Sequence, residues 1–203
     1  MLLADSMEGF LGFVILLLLF AAALTLLMNR DWRWTLAALA IQYFLAFLLI
    51  TPSWPLELAA VKLVAGWMAG AVLGLTRLNL AEQPDEDGKR LPTTPAFLIL
   101  ASALVLLVVL GAGPALSSWA RQISVDQVSG GLLLVGMGLL QVGLSSNSFR
   151  GIIGLLTLLS GFEILYAAVE ASLLVAALLG ILNLGIALAG SYLMLAPVLE
   201  PRE

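Results

Sequence analysis

Apolar runs long enough to cross a bilayer recur along nearly the whole of this chain. About 18 consecutive apolar residues suffice to span hydrocarbon as a helix. Composition agrees. The 203 residues are 62% hydrophobic and 11% charged, with a mean hydropathy of +1.09. A soluble domain is about 45–50% apolar and about 25% charged. The one clearly soluble stretch, 82–94 (EQPDEDGKRLPTT), is too short to fold alone. The expected architecture is an all-α polytopic membrane protein: one transmembrane domain over 1–203, with a short polar cytoplasmic loop at 82–94.

Seven spans are expected, at roughly 9–29, 34–51, 55–76, 95–115, 127–146, 150–169 and 172–196. The breaks have local causes. NRDWR at 29–33 is charged, and TPSWP at 51–55 holds two prolines, which end helices by steric clash and a missing donor. SSNSFR ends the fifth span. Residues 151–199 are almost continuously apolar, so the last break rests on the polar point Glu170, Ala171 and Ser172; the competing reading is one long tilted or re-entrant helix. The start, MLLADSMEGF, carries Asp5 and Glu8 and no basic residue, so the first run reads as a retained helix and not a secretory signal.

Basic residues set the expected orientation. With the N-terminus outside, Arg30, Arg33, Arg77, Lys89, Arg90, Arg150 and Arg202 fall inside, Arg121 falls outside, and Lys62 lies within the membrane. Seven spans then put the C-terminus in the cytoplasm. Trp32, Trp34, Trp54 and Trp119 fall at span ends, where interfacial aromatics belong.

Cysteine and histidine are absent. That removes disulfides, thiolate metal sites and imidazole ligands, and with them the usual general base. No phosphate loop or nucleophile triad is present, and neither a cofactor, a metal nor nucleic acid is an expected ligand.

What remains is the polar inventory inside the spans. An ionisable residue in hydrocarbon is costly and turns toward protein or water. Lys62 lies seven residues after Pro55, and Glu163 seven residues before Glu170. At 1.5 Å per residue each is about 10 Å below the outer surface, so the two share a depth. Lys62, Gly66, Gly70 and Gly74 recur every four residues and form one stripe, the kind that lets helices pack closely. Ser160, Glu163, Ala167 and Glu170 form a second stripe; Ser172, Ala176, Gly180, Asn183, Ala187 and Gly190 form a third, expected to face the second across the hairpin. Gln42 and Asn183 fall near mid-membrane. Gln141, near the cytoplasmic end, reads as packing, and the Leu- and Val-rich fourth span as facing lipid. Two readings of the buried charges stand. In one, Glu163 titrates in a proton or cation relay, with Lys62, Gln42 and Asn183 as partners. In the other, Lys62 and Glu163 form a structural ion pair. Glu170 is either a second relay carboxylate or an interfacial group in water.

The run from Arg150, RGIIGLLTLLSGFEILYAAVEASLLVAALLG, resembles the core of the K-type subunit of bacterial complex I. It is also similar to the C-terminal half of hydrogenase-4 component E and to the C subunit of multisubunit cation/proton antiporters. Gly161-Phe162-Glu163 stands where that family has a Gly-Leu-Glu-like motif in mid-membrane. VEASLLVAALL, with Glu170, looks like the stretch carrying the family's second membrane glutamate, although in the short K-type subunit the two glutamates are farther apart. ELAAVKLVAG around Lys62 matches a buried-lysine helix of the component E variety. The resemblance covers residues 150–180 best and the rest loosely. It implies a small subunit without redox cofactor in a bacterial inner (plasma) membrane, packed beside larger antiporter-like subunits and lipid, with no catalysis of its own.

Overall fold

The computed structural model describes residues 2–80, 94–119, 124–145 and 147–199. Most of the expected polar loop, Arg121 and the last four residues lie outside these. Seven helices follow in order: α1 (Leu2–Met28), α2 (Trp32–Ile50), α3 (Leu56–Asn79), α4 (Pro95–Trp119), α5 (Val125–Leu144), α6 (Ser148–Ala167) and α7 (Leu173–Leu199). All seven are long and apolar enough to cross a membrane, the signature of a multi-pass membrane protein. A helix satisfies its backbone groups internally, which hydrocarbon demands. The expected spans differ mainly at two ends: α1 begins at Leu2, and α4 continues through Pro114 to Trp119.

Short polar side chains start three of the helices. Asp31 accepts from the Arg33 amide at 2.9 Å, Ser124 from Gln127 at 3.2 Å and Asn147 from Arg150 at 2.9 Å. The break within 151–199 is a turn between two helices. The amides of Val169 and Glu170 donate to the Tyr166 carbonyl, and α7 restarts at Leu173. The Trp54 indole donates to the Glu170 carbonyl at 2.9 Å and ties this turn to the α2–α3 connection. Trp54 is therefore buried, whereas Trp34 is exposed as an interfacial ring would be.

The closest helix approach joins α5 and α6 through glycines spaced by seven: Gly131 and Gly138 on one, Gly154 and Gly161 on the other. A Cβ on Gly161 would lie 2.6 Å from both the Gly131 carbonyl and the Val135 amide, so only hydrogen fits. The expected stripe on α3 packs differently along its length. Gly66 meets the Tyr43 ring, Gly74 meets Leu36, and Gly70 has only Leu39, 4.0 Å from a built Cβ. Gly180 on α7 faces Ala65 of α3, not α6. The second and third stripes thus meet at the Asn183–Glu163 contact, and Gly190 packs on Ile152, while α7 also lies along α3. Helix α4 is peripheral, with Leu100, Leu104, Leu107 and Val108 exposed.

Two ends can be told apart. At one, Arg77 lies over the Phe149 ring at 5.1 Å and Arg150 donates to the Asn29 carbonyl at 3.1 Å. At the other, Gln127 donates to the Leu49 carbonyl and Ser53 hydroxyl, both at 2.7 Å, beside the Trp54–Glu170 contact. Two apolar cores form, one running along the bundle from Trp54 to Leu27 and the other toward the basic end. One includes Leu49, Ala59, Ile164 and Ala176, the other Leu39, Leu73, Leu156 and Ala187.

Candidate functional site

The site lies between these two cores, where α2, α3, α6 and α7 each contribute polar side chains. Lys62 is six residues into α3 and Glu163 four residues before the end of α6. Each is therefore about 6–9 Å in from its helix end, and both ends lie on the Trp54 side. The Lys62 ammonium donates to Oε2 of Glu163. The Asn183 amide donates to the other oxygen, Oε1, at 2.7 Å, and also to the Leu179 carbonyl at 3.2 Å. The Tyr43 hydroxyl donates to Oδ1 of Asn183 at 2.7 Å. Its ring lies 5.8 Å from the Lys62 nitrogen, within the range of cation–π attraction. Lys62 is 6% exposed and Glu163 2%; Asn183 is fully enclosed.

The local sequence explains the assembly. Gly66, one turn after Lys62, leaves room for the Tyr43 ring; a Cβ there would lie 2.5 Å from its Cγ. Gly161, two residues before Glu163, lets α6 sit against α5, while Glu163 on the opposite face reaches Lys62 of α3 and Asn183 of α7. A buried charge is tolerated when paired and fully hydrogen-bonded, and here both oxygens of Glu163 have donors.

The expected site residues separate into three groups. Lys62, Glu163 and Asn183 come together. Gln42 is fully buried in the same layer but donates instead to the Thr157 hydroxyl at 3.4 Å. Glu170 lies exposed on the α6–α7 turn, about two helical turns from Glu163. Tyr43 and Thr157 were not among the expected residues. Tyr43 had a signal: a tyrosine amid an apolar run must find a partner for its hydroxyl. Thr157 had one as well, lying six residues before Glu163 on the same helix.

Comparison with protein-family models, curated proteins and solved structures finds no match to this chain. Among the described residues, no group of three or more acidic side chains stands close enough to hold a metal ion. The site's chemistry is therefore that of a buried carboxylate with one cationic and one amide donor. It can hold a charge in the membrane, exchange a proton, or lock four helices together.

Proposed function

We propose that this chain is a small membrane subunit of a complex-I-like, hydrogenase-type or antiporter-type assembly, in which Glu163 relays a proton or cation. One observation carries the proposal: an ionisable carboxylate is enclosed between four membrane helices and held by Lys62 and Asn183. Ionisable groups at such depth mark ion pathways more often than solvent-exposed ones do. The proposed roles are Glu163 as the titrating group, Lys62 as its electrostatic partner, and Asn183 with Tyr43 as hydrogen-bonding neighbours. Gln42 sits farther along the same polar layer. Glu170 serves at the surface, as an interfacial carboxylate on the α6–α7 turn.

The proposed orientation puts the N-terminus outside a bacterial plasma membrane. Its support is that Arg77 and Arg150 fall at one end of the bundle, the end that also holds the α1–α2 turn with Arg30 and Arg33. Exposed apolar faces, above all on α4, suit contact with lipid or with larger membrane subunits. One observation favours a second reading: both oxygens of Glu163 are already bonded, as a structural ion pair would require.

Native purification of the tagged chain, with identification of what comes with it, tests the assembly. Large antiporter-like subunits in the purified complex are the expected result. A chain that purifies alone and folds normally contradicts the proposal.

A further inference from the structure

Among the described residues, three buried side-chain oxygens have no protein partner: Oε1 of Gln42, Oγ of Ser160 and Oε1 of Gln141. Buried polar groups are nearly always paired, and leaving one unpaired is costly. Ser160 is telling. Thr25, Thr35, Thr76 and Ser102 all donate to the carbonyl four residues back, the usual habit of a helical hydroxyl. Ser160 does not, although it sits in mid-helix. Exchanging the oxygen and nitrogen of Gln42 cures nothing, since the amide then leaves its donors unmet.

The three atoms are not scattered. Ser160 precedes Glu163 by three residues on α6, and Thr157, the partner of Gln42, precedes Ser160 by three. Gly154, three residues earlier again, packs against Gln141, 3.0 Å from a built Cβ to the Gln141 Cβ. Each step of three residues advances about 4.5 Å and falls about 60° short of a full turn. The row therefore winds round α6, from the face on α3 and α7, past α2, to the face on α5. Beyond Gln141 lies a cavity of about 40 Å³ lined by Gln141, Ser145 and Arg150 at the basic end. A water needs about 10–15 Å³ and two to four polar partners, so the cavity has room for about three.

We propose that Ser160, Gln42 with Thr157, and Gln141 bind internal water molecules in one lane that winds round α6 from Glu163 to the cavity at Arg150. Side chains three residues apart on a helix stand about 5–6 Å from each other at Cβ, a gap that the two hydrogen bonds of a single bridging water span. The lane gives the carboxylate a route for proton exchange with the basic end of the bundle. That use rests on the relay reading of Glu163; the water sites do not.

Water-edited solid-state NMR of the full chain in lipid bilayers tests it. Magnetisation from water should reach the side chains of Gln42, Ser160 and Gln141 much faster than those of Leu133 and Met137, which are as enclosed as Gln42 and Ser160. Transfer no faster than at Leu133 and Met137 overturns the lane. Gln141→Leu should abolish the fast transfer at Gln42 and Ser160, which lie beyond it from the cavity, while the Asn183 signals stay in place; unchanged transfer at both breaks the continuity and overturns the proposal. The two readings fail separately. Fast transfer in a protein whose Glu163→Gln variant still moves ions keeps the lane and removes the relay. Slow transfer in a protein whose ion movement needs Glu163 keeps the relay and removes the lane.

Discussion

Asn183 holds Oε1 of Glu163 at 2.7 Å, the carboxylate oxygen that Lys62 leaves open. Three helices therefore meet on a single carboxylate, and the Tyr43 hydroxyl brings in a fourth through Asn183. The arrangement makes each partner's removal costly in a different way, and those differences are measurable.

Removing one member of the charged pair leaves the other buried without compensation, at a cost of about 3–5 kcal/mol. Lys62→Met alone should lower thermal stability or folded yield strongly. Lys62→Met with Glu163→Gln should restore much of the loss. Equal damage from the single and double variants would show that the pair contributes nothing as a pair.

Tyr43→Phe removes one donor and leaves Oδ1 of Asn183 unpaired, while Asn183→Leu orphans both the tyrosine hydroxyl and Oε1 of Glu163. With about 1–3 kcal/mol per stranded group, Asn183→Leu should be clearly the more destabilising in detergent unfolding curves. The reverse order would mean that the tyrosine is held mainly by its ring packing.

Along the α5–α6 contact, Gly161→Ala puts a methyl carbon 2.6 Å from two main-chain atoms. Main chain yields poorly, so a loss of about 1–3 kcal/mol is expected. Gly143→Ala, on the same helix pair but with nothing within 4 Å, should be near neutral. Similar melting curves for the two variants would contradict the close approach.

How much of this was legible beforehand differs by residue. The spans were readable because hydrocarbon demands long apolar runs, and the prolines, caps and charges between them leave few places for a break. Lys62 and Glu163 were readable from their common depth. The stripes were harder, because spacing tells which residues share a face but not which helix that face meets. Gly180 packs on Ala65, and the glycine contact against main chain uses Gly131, Gly138, Gly154 and Gly161, which a four-residue repeat does not pick out. Tyr43 was hidden because an aromatic in an apolar run looks like core until its hydroxyl is traced. Gln42 turned to Thr157 because an amide has several possible partners and only packing chooses among them.

Orientation has its own measurement. Cysteines introduced at Ser53 and Ser172, on the Trp54 side, should react with an impermeant reagent from outside intact cells, and one at Gly88 should not. External labelling at Gly88 would invert the proposed topology.

The central claim concerns the charge state of Glu163. A relay must change protonation during turnover, whereas half of a structural pair need only stay charged. Glu163→Gln keeps size and hydrogen-bonding capacity but cannot titrate; Glu163→Asp titrates but retracts the group by one methylene. The deciding measurement is ion movement per assembled complex in reconstituted vesicles. The account predicts that the Gln variant assembles yet loses coupled movement, and that the Asp variant retains part of it. Normal movement by an assembled Gln variant would contradict the relay and leave Glu163 as a helix lock.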